Sequence, residues 1–289
     1  MKNVRFAGAQ IPCSKILKNN VQTIKTAIDW AVDNQVDYLI TPEGSLSGYI
    51  KDFDVPELVD ALTEIEQYAA NKVGLCLGTL WTENENDIGV RRNQIRFYSK
   101  DGILNRTVDK TIITPYDVML GIAPSSEHII VPFLDEQLDM HDIPLIAGAF
   151  ICADFYGKKE YPDLTRMSFN DGAHIFLHAT NAERDVGRMY DSVMSDWHNA
   201  HLRNISYLAG IPVISVDNSI KMDGTEWNGP TSSQSGVLIG GEWVVTVPRV
   251  GTHYFYYDFP LDKLRQANTY GLAKRYWEKL KRGLGPLFL

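Results

Sequence analysis

The spacing of apolar positions changes several times along the chain, and each change marks an element. Val4 to Ile11 alternates every second residue, as a strand with one buried face does. Leu17, Val21, Ile24, Ala27, Ile28 and Ala31 then recur at helical spacing, with polar residues between them. Val36–Ile40 and Val73–Leu80 are short continuous apolar runs that read as buried strands. Between them Asp54 caps a predicted helix, with Pro56 and Glu57 in its first turn and Leu58, Leu62, Ile65 and Ala69 on one face. The Pro- and Gly-rich stretch from Thr41 to Tyr49 reads as a loop. Gln94–Ser99 and Ile103–Val108, joined through Lys100, Asp101 and Gly102, predict a hairpin. Thr111 to Ser126 has no period and is expected to cover a site as a loop.

The second half alternates in the same way. Strands are predicted at Glu127–Phe133, Ile143–Ile151, Ala173–His178, Ile211–Val216, Val237–Ile239, Trp243–Val247 and Tyr254–Phe259. Helices are predicted at Leu164–Asn170, at Met189–Leu208 with Val193, Trp197 and Ala200 in register, and at Asn268–Leu280. Alternating strands and helices point to an α/β architecture. No linker-like stretch divides the chain and no internal repeat is visible, so residues 1–289 are expected to form a single domain.

Composition narrows the function by exclusion. With 44% hydrophobic and 22% charged residues, the chain can bury a sizeable core. A net charge of −8 and the lack of a basic tract argue against nucleic acid or an anionic membrane as partner. The start of the chain lacks the apolar block of a signal peptide, and no apolar run approaches the ~20 residues that span a bilayer. Cys13, Cys76 and Cys152 lie far apart without a CxxC spacing, which fits a reducing cytoplasm and speaks against a thiolate zinc site. His198 and His201 share a helix face, but no HExxH pattern or acid cluster accompanies them, so no metal is expected.

Three reactive residues stand where strands give way to loops: Glu43, Lys110 and Cys152. Function is placed there on α/β scaffolds. Each also has an ordinary alternative, as an exposed acid, a solvated lysine and a core thiol. As a set they can do chemistry. A nearby cation lowers a thiol's pKa, a carboxylate can take the thiol proton and return it to a leaving amine, and an ammonium can stabilise an oxyanion.

The sequence resembles the nitrilase superfamily, the carbon–nitrogen hydrolases, over nearly its whole length. Pro42-Glu43 with Gly48-Tyr49 resembles the family motif that carries a general-base glutamate. Asp109-Lys110 resembles the motif that carries the lysine, and Ala149 to Asp154 resembles the nucleophile motif around Cys152. Weaker echoes run from Gly172 to Asn181, at Arg203-Asn204 before Ile211–Asn218, and from Ser235 to Glu242. The resemblance implies a four-layer α-β-β-α sandwich of two mixed sheets with helices outside. It also implies pairing as a homodimer or higher homo-oligomer, with the segment from about 268 to 289 packing on a partner subunit.

By the same resemblance the chemistry is hydrolysis of a non-peptide carbon–nitrogen bond through a cysteine thioester, without metal or organic cofactor. Glu43 would be the base, and Lys110 with the Ala153 N–H would hold the oxyanion. Cys152-Ala153-Asp154 is similar to the amidase and carbamoylase type, so a small amide or N-carbamoyl compound is expected as substrate. A nitrilase, or a catalytically silent member that binds a metabolite or a partner protein, is the alternative. Asp154 is expected to fix the turn that aims the sulfur. Tyr49, Tyr116, His178 and Asn181 fall just beyond strand ends and are candidates for substrate contact. Arg184 and Arg188 are read as solvated, and Trp227 to Pro230 as a loop over the pocket mouth. One departure stands out. Many members carry a second glutamate between lysine and cysteine, and here Asp117 is the nearest acid, with Glu127 at the following turn.

Overall fold

The structure, a computed structural model, describes residues 2–85, 88–126, 130–133, 145–157, 163–181, 191–219, 231 and 233–270. Glu127, Arg184, Arg188, the 227–230 loop and residues 271–289 lie outside the described residues.

The first half runs β1 (Asn3–Gln10), α1 (Leu17–Asp33), β2 (Tyr38–Ile40), α2 (Val55–Ala69), β3 (Gly74–Glu85), β4 (Ile88–Tyr98) and β5 (Leu104–Asp109). A short helix α3 (Pro115–Met119) and strand β6 (Ile130–Phe133) follow. The second half runs β7 (Leu145–Ile151), α4 (Ala153–Tyr156), α5 (Leu164–Asn170), β8 (Ile175–Ala179), α6 (Asp191–Ala209), β9 (Val213–Val216), β10 (Gly236–Ile239) and β11 (Glu242–Thr246). It ends with β12 (His253–Pro260) and α7 (Leu261–Tyr270).

Two six-stranded mixed sheets form, in the orders β12-β1-β2-β3-β4-β5 and β6-β7-β8-β9-β10-β11. Their pairing patterns are the same. In each, an antiparallel edge strand flanks three parallel strands, and two more antiparallel strands follow. The fold is thus built twice. β12 completes the first sheet from the far end of the chain, by pairing along the whole of β1 from Asn3 opposite Pro260 to Gln10 opposite His253.

Alternation along the strands sorts the side chains into layers. Phe6, Tyr38, Ile40, Ile95 and Phe97 of one sheet meet Phe133, Leu145, Ala147, Leu177 and Val216 of the other in the inter-sheet core. Ala7, Ala9, Leu39 and Leu75 face the opposite way and bury the apolar sides of α1 and α2, including Ile24, Ile28, Leu62 and Ile65. Phe150, Phe176 and Val213 do the same against α4, α5 and α6. The four expected layers are present.

Local signals explain the elements, and three bounds differ from the sequence reading. Asp54 caps α2 as expected, its Oδ1 accepting from the Glu57 N–H at 2.8 Å. The Thr111–Ser126 stretch contains α3, which a reciprocal capping box between Thr114 and Asp117 and a proline in the first turn make possible despite its five residues. β3 extends to Glu85 in a long hairpin with β4, because Trp81 and the polar residues after it pair on a half-exposed edge. The last described helix starts at Leu261, where the chain leaves β12, rather than near Asn268; Leu261 and Leu264 bury its inner face.

Candidate active site

The ends of β2, β5, β7 and β8 converge, and their loops carry polar residues into the interior. After β2 every residue from Thr41 to Tyr49 is buried. That loop fits because Gly78 of β3 lies beneath it: a Cβ there would stand 2.0 Å from the Pro42 carbonyl oxygen. The loop's own turn uses Gly48 at φ +74, where a Cβ would also meet the Ser14 carbonyl at 2.5 Å.

Glu43, 1% exposed, is held at both ends. Its Oε1 accepts from Lys110 Nζ at 2.8 Å and from Asn93 Nδ2 at 2.7 Å, and its Oε2 from the Asn181 N–H at 2.9 Å. Its main-chain carbonyl accepts from Asn181 Nδ2 at 3.3 Å and the Cys13 thiol at 3.5 Å, and that thiol also donates to the Gly44 carbonyl at 3.0 Å. Lys110, equally buried, reaches Asp117 Oδ2 at 2.9 Å on its other side. Asp117 is fixed in turn by the Thr114 N–H and hydroxyl, at 2.7 and 2.8 Å, and by the Tyr49 hydroxyl. Two carboxylates therefore share one ammonium.

The charges decide the protonation states. Burial pushes the Glu43 carboxyl up, Lys110 pulls it down and Asp117 pushes it up again; the net direction is upward. Burial also works to raise Asp117, but the Lys110 charge and its hydrogen bonds hold it below the ordinary carboxylate range. Burial would strip the Lys110 proton, yet Glu43, Cys152 and Asp117 hold the ammonium well above its usual range.

Cys152 follows β7 at φ 48 and ψ −108, a left-handed conformation that non-glycine residues seldom adopt. Its N–H donates to the Ala179 carbonyl of β8 at 2.9 Å, which fixes the turn against the neighbouring strand. The sharp reversal starts α4 at Ala153, whose N–H stands at a helix start without an intrahelical partner. Asp154 ties this turn to the lysine segment. Its Oδ1 accepts from the Thr111 and Ile112 N–H groups at 3.0 and 2.6 Å, and its Oδ2 from the Ile151 N–H at 3.2 Å. Cys152 is partly exposed as a residue. Burial, and then Glu43, push its thiol up to about 12, outweighing Lys110. The lysine does not leave a resting thiolate, because its charge is already matched by two carboxylates; a base must remove the proton.

The sequence matches a known family: the carbon-nitrogen hydrolase model covers residues 5–241. The chain belongs to that family. Among solved structures, the carbon–nitrogen hydrolase from Helicobacter pylori G27 superposes with a TM-score of 0.75 at 15% identity, over 96% of this chain and 94% of that one. The NitN amidase from Nesterenkonia sp. AN1 gives 0.70 at 16% identity, over 98% and 100%. The glutamine-dependent NAD+ synthetase from Acinetobacter baumannii gives 0.72 at 16% identity, over 91% of this chain and 47% of its own. This carbon–nitrogen hydrolase chain therefore spans less than half of the synthetase. At such identities the likeness is one of fold. No curated protein sequence matches.

Within the carbon–nitrogen hydrolase fold, Glu43, Lys110 and Cys152 come together as a set. The candidate substrate residues divide. Tyr49 is buried with its hydroxyl on Asp117. Tyr116 is 39% exposed on α3, its ring 5.3 Å from that of Tyr49. Asn181 sits in the cluster, with its amide committed to the Glu43 carbonyl and to Asn218. His178 lies on the other face of β8, packed on Phe155 and Tyr156 with Nδ1 2.9 Å from Ser215 Oγ; burial lowers it to about 3, so it stays neutral. It lies within β8 rather than beyond its end, and strand alternation turns its ring toward α4, where it also meets the Cys152 backbone.

Asn93 was missed. Its signal was available: an amide on the inward face of β4, in line with the apolar Ile95 and Phe97. Asp117 was noted only as the acid nearest to where a glutamate was expected, and it is the residue that meets Lys110. Among the described residues, no group of three His, Cys, Asp or Glu could hold a metal ion, and no helix is long and apolar enough to cross a membrane.

Proposed function

We propose that this chain hydrolyses a small amide or N-carbamoyl compound through a thioester on Cys152. Glu43 Oε2 takes the thiol proton as the sulfur attacks the carbonyl carbon; Oε1 is already occupied by Lys110 and Asn93. Lys110 and the Ala153 N–H stabilise the oxyanion. Glu43 returns the proton to the departing nitrogen as the carbon–nitrogen bond breaks. It then draws a proton from the water that cleaves the thioester, which frees the acid and restores the thiol.

The observation that carries this reading is a charged set around a partly exposed cysteine: a buried lysine shared by two carboxylates beside the backbone-strained Cys152. One neighbour's chemistry is suggestive. A variant of the Nesterenkonia sp. AN1 amidase shows covalent addition of the acetamide moiety of fluoroacetamide at its active-site cysteine. The deciding experiment is an ammonia-release screen over amides, N-carbamoyl compounds and nitriles, with intact-mass detection of an acyl adduct. Turnover of an amide or carbamoyl compound with the adduct on Cys152 is expected. Release from nitriles alone would turn the reading to a nitrilase, and turnover retained in Cys152→Ala would end it.

We further propose a homodimer formed through the outer helices. Met167 of α5 and Val193, Met194, Trp197 and Tyr207 of α6 are large apolar side chains left exposed in the single chain. A monomeric mass in analytical ultracentrifugation would refute it. The three free cysteines, two of them buried, are compatible with a cytoplasmic location. A secreted, disulfide-linked form recovered from cells would contradict that location.

A further inference from the structure

The mechanism above leaves one buried donor beside the nucleophile unused. In the parallel ladder of β7 and β8, Ile151 lies opposite Ala179, and the Cys152 N–H continues the ladder by donating to the Ala179 carbonyl. Thr180 is the next residue, so it flanks Cys152 where both strands end. Its N–H is taken by the Val216 carbonyl of β9 at 2.9 Å, which fixes the backbone. Its side chain is fully buried, and Oγ1 makes no hydrogen bond of ordinary geometry with any described group. A buried hydroxyl kept without such a partner is costly unless something arrives to use it.

What arrives is negative sulfur. Glu43 and Asp117 both oppose charge on Cys152, and the ammonium of Lys110 is divided between them. A neutral donor on the strand side is what the developing thiolate lacks. The Thr180 hydroxyl also acts on the thiol in the sense of a donor, lowering its pKa.

We propose that Thr180 is the positioning residue of the nucleophile: its hydroxyl donates a hydrogen bond to Cys152 Sγ while the thiol proton passes to Glu43. This rests on the reading of Cys152 as nucleophile. The proton count is unchanged, since Thr180 keeps its own proton and only redirects it toward sulfur.

The test needs no known substrate. Alkylation by iodoacetamide is followed by intact mass across the neutral pH range in the wild type, Thr180→Val, Thr180→Ser and Cys152→Ala. Thr180→Val, which keeps the shape, is expected to alkylate about tenfold more slowly at each pH, the equivalent of about one pKa unit. Thr180→Ser is expected to restore the rate. Should Thr180→Val not fold by circular dichroism, Thr180→Ala carries the same comparison. Equal rates in Thr180→Val and wild type would overturn the proposal, as would equal slowing in Thr180→Ser, which would point to the lost methyl. Labelling that persists in Cys152→Ala would instead defeat the nucleophile assignment itself, whatever Thr180 does.

Discussion

The two halves of the molecule share one strand pattern and divide the chemistry unequally. The first half supplies Glu43 after β2 and Lys110 after β5, both fully buried and already hydrogen-bonded before any substrate arrives. The second supplies Cys152 after β7, partly exposed, strained at φ 48 and still protonated. In the proposed mechanism one half is a fixed electrostatic frame and the other presents the reacting atom. In that mechanism the charges are set in advance, and the bond to substrate forms and breaks at the thiol while Glu43 only carries the proton. Parts of the second half brace the first, since Asn181 after β8 holds Glu43 through both main chain and side chain.

The sharpest break in this contrast is removal of the reacting atom. Cys152→Ala is expected to reduce turnover by about 10⁴-fold or more and to eliminate the acyl adduct, measured by ammonia release and intact mass. Glu43→Gln is expected to cost about 10²- to 10⁴-fold, because the proton then has no acceptor. Its amide also sets a second donor against Lys110, Asn93 or Asn181, so its unfolding midpoint should fall, whereas that of Cys152→Ala should hold. Equal loss of midpoint in both would remove the distinction between frame and reacting atom.

Next in size is the tie between the halves. Asp154→Ala strands three backbone N–H groups and is expected to lower stability by about 3 kcal/mol in urea unfolding. Asp154→Asn keeps an Oδ1 acceptor for Thr111 and Ile112 and should cost far less. Burial pushes Asp154 up to about 7 from an unfolded value of 3.8. Between these values the folded protein keeps a proton that the unfolded chain has released, so this group's contribution is full at low pH and is lost as pH rises toward 7. Stability of Asp154→Asn should lack that fall.

The third prediction concerns the excess negative charge of the frame. Glu43 must be ionised to act, and Asp117 is one of the groups raising its pKa. Asp117→Asn is therefore expected to move the acid limb of the pH–rate profile to lower pH. A limb that stays put, or moves upward, would show that Asp117 does not set the protonation of Glu43.

Much of this contrast was legible before any coordinates. Glu43, Lys110 and Cys152 each end a strand, and period changes mark strand ends well. Asp117 was not legible as a partner. Whether an aspartate reaches Lys110 depends on how α3 is docked, and five residues are too few to show a helical period. The side of β8 on which His178 lies was not legible either, because an apolar run does not tell which face each of its side chains takes. The repeated strand pattern stayed hidden for a different reason: it resides in hydrogen-bond direction, which unrelated apolar residues satisfy equally well.

The smallest effect is expected at Cys13, three residues after β1. Its thiol is turned inward and donates to the Glu43 and Gly44 carbonyls, which gives it a structural part in holding the Glu43 loop. Thiols are weak donors, and Asn181 holds the same Glu43 carbonyl. Cys13→Ala should therefore cost no more than about 1 kcal/mol in urea unfolding, and turnover should change only a few-fold. Cys13→Ser, which keeps a donor, should lie closer to wild type. A fall in turnover of more than about tenfold in Cys13→Ala at an unchanged unfolding midpoint would mean that the Glu43 loop depends on this single thiol. The frame would then be less redundantly held than its hydrogen bonds imply, and the contrast between a fixed half and a reacting half would have to be redrawn around the loop after β2.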